Sequence, residues 1–129
     1  MKGVLFTTII LVFIFSACKK TELVPGLIGR WELRYQSGGW GYDSTYVAGN
    51  GNIYQFNRDS TYKRYDKGAL AAAGRFHIRH ENSYQMQSVN SIFFDNDVTG
   101  DPISVQGTKL IMGTSVADGI TSNYQKISN

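Results

Sequence analysis

Residues 29–37 read Gly-Arg-Trp-Glu-Leu-Arg-Tyr-Gln-Ser, and this stretch indicates how the chain folds. Large apolar or aromatic side chains alternate with charged or polar ones, which is the period of two expected of a half-buried β-strand. The alternation assigns one face to Trp31, Leu33 and Tyr35. It assigns the other face to Arg30, Glu32, Arg34 and Gln36. We therefore predict that the chain from Gly29 onward is built from strands.

Shorter runs with the same alternation follow along the rest of the chain, separated by turn residues. They cover residues 52–57, 61–66, 75–81, 83–88, 91–94, 103–106, 109–112 and 121–127. Short strands at this spacing, with fourteen glycines and only two prolines, predict an all-β fold, either an antiparallel sandwich or a barrel. Residues 68–74, rich in alanine and bounded by glycines, are expected to add at most one helical turn.

The N-terminal segment has the organisation of a secretion signal. Lys2 precedes an uncharged apolar run over residues 4–15, which is too short to cross a hydrocarbon core of about 30 Å as a helix. The run ends in Phe15-Ser16-Ala17-Cys18, and small residues before a cysteine resemble the lipobox of bacterial lipoproteins. That resemblance implies cleavage before Cys18 and acylation of its thiol, with palmitate as one acyl group. The alternative is an unused apolar thiol.

These features divide the chain into a signal peptide over residues 1–17, a lipid anchor and tether over residues 18–27, and one β-domain over residues 28–129. Cys18 is the only cysteine, so we expect no disulfide to stabilise the domain. Lys19-Lys20 follows it directly, unlike the acidic stretches typical of surface-exported lipoproteins. The sequence therefore favours the bacterial envelope, with the domain on the periplasmic side of the outer membrane.

The start of the first predicted strand carries a family resemblance. Gly29-Arg30-Trp31 is similar to the G-x-W signature of the lipocalins. In that family the tryptophan closes one end of an eight-stranded up-and-down antiparallel barrel, and a basic residue on the last strand packs across it. Lys126 stands where that basic partner is expected. The resemblance implies a small barrel of about eight strands, whose interior has room for side chains or one small ligand.

Two further stretches resemble the short lipocalin-like domains of lipoproteins from Bacteroidetes-type bacteria. Residues 54–62 match their F-x-x-D-G-T-Y hairpin, and residues 74–78 match their G-x-Y-x-I strand. Ser60 stands where these domains usually have glycine. The resemblance identifies the chain as a lipocalin-like domain lipoprotein of this type.

The connection after the first strand is rich in aromatic residues. Its candidate contacts to a ligand or a partner are Trp40, Tyr42 and Tyr46, because such side chains combine a large apolar area with a polar tip. The alternative is that Trp40 and Tyr46 fold down and cap the barrel. Tyr54, Gln55 and Tyr84 are predicted polar contacts to a ligand inside the barrel.

Two patterns raise the question of a metal site. His77 and His80 lie three positions apart on a predicted strand, so they face opposite sides and are expected to be surface residues. Residues 95–101, Asp-Asn-Asp-Val-Thr-Gly-Asp, are similar to the first half of a calcium loop. An ordinary hairpin turn explains the same residues, and the position of the closing glutamate is taken by Gln106. We predict no metal and leave calcium as the alternative.

Composition and motifs exclude several classes of function. The formal net charge of +3 comes from scattered charges, so we expect no nucleic-acid partner. No nucleophile elbow, zinc-binding motif or phosphate-binding loop occurs, so the chain is not expected to be an enzyme or to need a cofactor. The sequence predicts a membrane-anchored lipoprotein that binds a small apolar or amphipathic ligand. The alternative is a filled barrel that binds an envelope protein, as an inhibitor or assembly factor, through residues 40–46.

Overall fold

A computed structural model describes residues 24–82, 88–114 and 118–129. Within these ranges the chain forms nine β-strands and one short 3₁₀ turn at Gly39–Gly41. The strands are β1 (Gly29–Gly38), β2 (Asp43–Thr45), β3 (Ile53–Phe56), β4 (Thr61–Asp66), β5 (Ala69–Asn82), β6 (Ser88–Phe94), β7 (Asp101–Gln106), β8 (Lys109–Gly113) and β9 (Ile120–Ser128). The described ranges contain no helix with the length and hydropathy needed to cross a membrane.

The strands form a closed antiparallel barrel. β1 pairs with β3 along its first half and with β9 along its whole length, which closes a ring in the order β1-β3-β4-β5-β6-β7-β8-β9. β2 lies outside this ring and pairs only with the last part of β1. The prediction of a small, lipocalin-like up-and-down barrel of about eight strands is confirmed, and the sandwich alternative is wrong.

The alanine-rich segment differs from its prediction. Residues 69–74 form the first part of β5 rather than a helical turn, and they pair with β4. The hairpin between these strands is made by Lys67 and Gly68, which both have positive φ angles. Such two-residue turns match the twist of antiparallel strands, so the turn geometry determines the conformation of a segment whose composition alone favours a helix. The predicted strand over residues 83–88 lies mostly outside the described residues, and β6 begins at Ser88.

The end of the barrel near Trp31 is closed by buried apolar side chains, and we call it the closed end. Val24 and Leu27 are buried there in the same cluster as Trp31, Phe56 and Leu110. Both precede the expected start of the domain at residue 28. The folded part of the chain therefore includes Val24, and the segment expected to be a tether is shorter than the sequence suggested.

Six aromatic rings fill the interior next to the closed end. Tyr54 stacks on Phe56 and Phe94 with ring centroids 5.6 and 5.5 Å apart, and Tyr62 lies 4.6 Å from Phe94. The six rings belong to Tyr54, Phe56, Tyr62, Phe76, Phe94 and Tyr124. Alternation along the predicted strands places one set of side chains inside the barrel: Tyr54, Phe56, Tyr62, Phe76, Ile78, Tyr84, Met86, Phe94 and Leu110. All members of this set that the structure describes pack in the core, and Tyr124 is the one of the six rings that the set does not contain. Tyr84 and Met86, predicted in the same set, lie outside the described residues.

A β-bulge changes the alternation of β1. Leu33 pairs with Tyr124, whereas Tyr35 pairs with Asn123, so Arg34 is the extra residue. Because one extra residue inverts which side chains face inward, Gln36 and not Tyr35 shares the inner face with Leu33. The prediction that Gln36 lies on the outer face is wrong for this reason.

Candidate binding site at the barrel mouth

The end of the barrel opposite Trp31 is open, and we call it the mouth. It contains a cavity of about 810 Å³. Apolar side chains contribute part of its wall, and four charged side chains belong to its lining. The apolar part is Leu33, Met112 and Ile120, and the charged residues are Arg64, Asp66, Lys67 and Asp101. The cavity therefore suits a molecule with both an apolar and a polar part better than a wholly apolar one.

The floor of the cavity is formed by Tyr54 and Tyr124, whose rings meet edge to face at 5.8 Å. Burial raises the pKa of both phenols above the ordinary value of 10.0. For Tyr54 the nearby Arg64 guanidinium partly opposes that increase. Both hydroxyl groups are therefore neutral near pH 7, and each can donate a hydrogen bond as well as accept one.

Arg64 is a charged side chain on the inner face of the barrel. β4 pairs Arg64 with Tyr54 on one side and with Ala72 on the other. Its guanidinium group interacts with the Tyr54 hydroxyl, and its Nη2 atom lies 3.7 Å from Asp66. Arg64 is not among the residues that the sequence predicts for the site. The alternation that places Tyr62 inside also places Arg64 there two residues later, and this signal could have identified it.

The connection after β1 divides into an anchored part and an exposed part. The Tyr46 hydroxyl donates to Gln36 Oε1 at 2.8 Å, and Gln36 Nε2 donates to Ser122 Oγ at 2.9 Å. Tyr42 lies beside the same network, with its hydroxyl 3.5 Å from that of Tyr46. Tyr46 thus forms part of the mouth.

Trp40 does not cap the barrel. Its residue surface is 95% exposed, and its φ angle of 62° is in the left-handed region. Of the two residues that the capping alternative names, Tyr46 therefore folds against the barrel and Trp40 projects into solvent.

The segment between Tyr46 and β3 is held against the barrel by a buried carboxylate. Glu32 is only 4% exposed. It accepts hydrogen bonds from the backbone N–H groups of Gly49 at 3.0 Å and Gly51 at 3.1 Å, and it forms an ion pair with Arg34. Burial alone raises the pKa of this carboxyl, but the hydrogen bonds and the Arg34 charge together hold that pKa below its ordinary value. The prediction of Glu32 on a solvated outer face is wrong, because the segment over residues 47–51 covers that face.

The residues of the G-x-W resemblance meet at the closed end. Trp31 is fully buried, its Nε1 donates to the Leu27 carbonyl at 2.7 Å, and the Lys126 Nζ lies 5.3 Å from the indole centroid. A Cβ atom at Gly29 would lie 2.6 Å from the Ser128 carbonyl oxygen. Only glycine therefore allows β1 and β9 to approach this closely at position 29.

Some of the predicted site residues lie elsewhere. Gln55 points away from the mouth, because Tyr54 and Phe56 on either side of it face inward, and its side chain donates to Asn57 at 3.1 Å. Tyr84 and Cys18 lie outside the described residues. His77 stacks on Phe93 with ring centroids 4.9 Å apart, and both are on the outer face of β5 and β6. His80 hydrogen-bonds to Asn90 at 2.9 Å.

The acidic residues over 95–101 have separate roles. Asp95 accepts hydrogen bonds from the Arg75 N–H group and from the Tyr62 hydroxyl, both at 2.9 Å. Asp101 lies instead at the mouth, where partial burial and the Asp97 carboxylate raise its pKa. Within the described ranges, no three His, Cys, Asp or Glu side chains come together in a way that suits a metal ion.

Asp95 also explains why the residue at position 74 is a glycine. A Cβ atom at Gly74 would lie 1.9 Å from an Asp95 carboxylate oxygen. The G-x-Y-x-I motif therefore has a local structural reason here, since its glycine leaves space for the carboxylate that joins β4, β5 and the end of β6.

Comparison of the chain with protein-family models, with curated proteins and with solved structures found no match.

Proposed function

We propose that this chain is a binding protein of the bacterial envelope whose barrel takes up one small amphipathic molecule at its mouth. The observation that carries this proposal is the cavity of about 810 Å³, which lies above a floor of two neutral tyrosines. The interior next to the closed end is occupied by aromatic rings, so a ligand would enter only the half of the barrel nearest the mouth. The proposal narrows the sequence-based expectation from an apolar or amphipathic molecule to an amphipathic one.

The proposed mechanism is capture without chemical change. An apolar group of the ligand would cover Leu33, Met112 and Ile120, and burial of apolar surface contributes about 25 cal/mol per Å². A polar group would remain among the hydroxyl and charged groups of the rim. Acylation of Cys18 would tie the protein to a membrane, as the lipobox resemblance implies.

The first experiment is native mass spectrometry of residues 19–129 purified gently from a bacterial periplasm. We expect an additional mass that is released when the protein is denatured. The same protein is then exposed to envelope lipid extracts. A bare polypeptide mass before and after that exposure would overturn the proposal.

Trp40 supports a second candidate function, a protein-interaction module. An indole 95% exposed on a glycine-flanked turn offers a partner protein a large apolar contact, and tryptophan is enriched at interface positions that dominate affinity. Cross-linking of membranes from cells that express wild-type protein or Trp40→Ser tests this candidate. A cross-linked product that is lost in the variant supports it, and the same products from both proteins would contradict it.

A further inference from the structure

Arg64 is an unusual residue to find on the inner face of the barrel. Its two partners in the sheet are Tyr54 and Ala72, and neither carries a charge near neutral pH. The Nε atom is buried and has no hydrogen-bond partner among the described residues. A buried polar atom without a partner reduces stability, and its presence in a folded protein requires an explanation.

Among the described residues, Asp66 is the carboxylate that pairs with Arg64, and it does so weakly. The Arg64–Asp66 separation of 3.7 Å is long for a charged hydrogen bond, and the Asp66 side chain is 61% exposed. Ion pairs with such exposure contribute little to stability because water screens them. The Arg64 side chain itself is 43% exposed although its Nε atom is buried, so part of this side chain remains accessible in the wall of the cavity.

The other buried and unpaired arginine Nε belongs to Arg30, and it provides a comparison. The guanidinium group of Arg30 lies 5.8 Å from the centroid of the Tyr65 ring, and Arg30 does not line the cavity. Within the part of the chain that the structure describes, Arg64 alone combines an unpaired Nε with a position in the cavity wall.

We infer that Arg64 is the binding group for a carboxylate on the ligand, and that the mouth selects small amphiphiles with one carboxylate. A guanidinium group offers only donors, in a planar arrangement that fits the two oxygens of a carboxylate. The Tyr54 hydroxyl is placed to orient this group. Asp101 at the same mouth disfavours a second negative charge, which argues against phosphate dianions. This inference rests on the proposed function, since it names the ligand class for the same cavity.

The test compares ligands that share a chain and differ in the head group. Isothermal titration calorimetry of the lipid-free protein is carried out with decanoate, decanol and decylamine, and with phenylalanine as a carboxylate that also carries an ammonium group. We expect decanoate to bind about tenfold or more tightly than decanol, because hydrogen bonds to charged groups are the strong ones. If phenylalanine binds more tightly than decanoate, the carboxylate that Arg64 binds belongs to a zwitterionic ligand.

Variants separate the role of Arg64 from the role of the cavity. Arg64→Gln should remove the preference for decanoate over decanol. Arg58→Gln, in the exposed turn before β4, is the matched control and should retain the preference. Circular dichroism at the binding temperature verifies that each variant is folded. Arg64→Lys is a second variant, which keeps the positive charge but loses the planar arrangement of guanidinium donors.

The two proposals fail in different ways. Equal binding of decanoate and decanol by the wild-type protein, or an unchanged preference in Arg64→Gln, would overturn the inference about Arg64 and leave the binding barrel standing. A protein that binds none of the probes and also gives a bare mass after exposure to lipid extracts would overturn both.

Discussion

Replacement of Glu32 by glutamine should destabilise the barrel far more than an ordinary charge removal. The carboxylate is buried and has three partners, two backbone N–H groups and the Arg34 guanidinium. Glutamine keeps one acceptor oxygen but directs an NH₂ group towards a donor. At least one N–H group of the Gly49–Gly51 segment, or Arg34, then loses its acceptor in a water-poor site.

The expected loss of unfolding free energy in Glu32→Gln follows from typical energies of buried hydrogen bonds and ion pairs. An unsatisfied buried donor costs about 1–3 kcal/mol, and the loss of one member of a buried ion pair costs about 3–5 kcal/mol. We take about 3 kcal/mol for Glu32→Gln, because the amide oxygen still accepts one bond. For a domain of this size, that corresponds to a fall in Tm of roughly 10–20 °C.

The assay is urea unfolding followed by tryptophan fluorescence, with hydrogen exchange at the amides of Gly49 and Gly51 as a local readout. Arg34→Gln should cost less, because both N–H groups keep their carboxylate. Glu81→Gln on β5 is the matched control, expected within about 0.5 kcal/mol of wild type. The reasoning is refuted if Glu32→Gln unfolds within that margin of wild type, or if protection of the two amides is unchanged.

The pH dependence of stability has a defined sign at the same residue. The pKa of Glu32 is lower in the folded protein than its ordinary value of 4.5, so the folded state favours the charged form. The stabilisation is complete at neutral pH and is lost as the pH falls through the folded pKa, from about 4.5 downward. Unfolding free energies measured between pH 7 and pH 3 should therefore fall more steeply for wild type than for Glu32→Gln.

Three other predictions follow from turns and buried phenols. Ser60 has a φ angle of 65°, and a left-handed backbone disfavours a Cβ atom. Ser60→Gly should therefore increase the free energy of unfolding by about 0.5–1 kcal/mol. A decrease would contradict this prediction. Gly74→Ala should cost at least about 2 kcal/mol through collision with Asp95, and a double-mutant cycle with Asp95→Ala should show coupling rather than additivity. Burial and the Asp95 carboxylate raise the pKa of Tyr62 to about 12. The stabilisation by the neutral Tyr62 phenol is therefore complete below pH 10 and is lost as the pH rises from 10 to about 12. Absorbance titration at alkaline pH should show a late-ionising tyrosine that is absent in Tyr62→Phe.

The sequence predicts the strands well because their signal is local. Alternation in the segments that form β3, β4 and β8 depends only on which face is buried. Those segments follow the two-residue period of a β-strand closely. The rule fails in β1 at Arg34. A bulge there results from the pairing of β1 with β9, which is distant in sequence, and no local pattern marks it.

The site was harder to predict than the fold. Glu32 has the appearance of a surface residue until residues 47–51 fold over it, and Gln36 has that appearance until the bulge turns it inward. Arg64 is absent from the predicted site although alternation from Tyr62 places it inside, because charged side chains are seldom found in a protein interior. Gln55 was predicted as a contact together with Tyr54, although adjacent residues of a strand cannot both face the interior.

The position at which the chain enters the barrel determines how the protein would be oriented on a bilayer. Val24 is buried at the closed end, and the Lys126 Nζ donates to the Gly26 carbonyl at 3.2 Å, so the first described residues lie at the same end of the barrel as Trp31. If Cys18 carries the proposed lipid, residues 19–23 can reach no more than about 18 Å. The closed end then rests near the head groups and the mouth opens into the aqueous compartment. Such a protein would take up its ligand from solution or by transfer from another protein. It would not extract the ligand laterally from the membrane leaflet in which it is anchored.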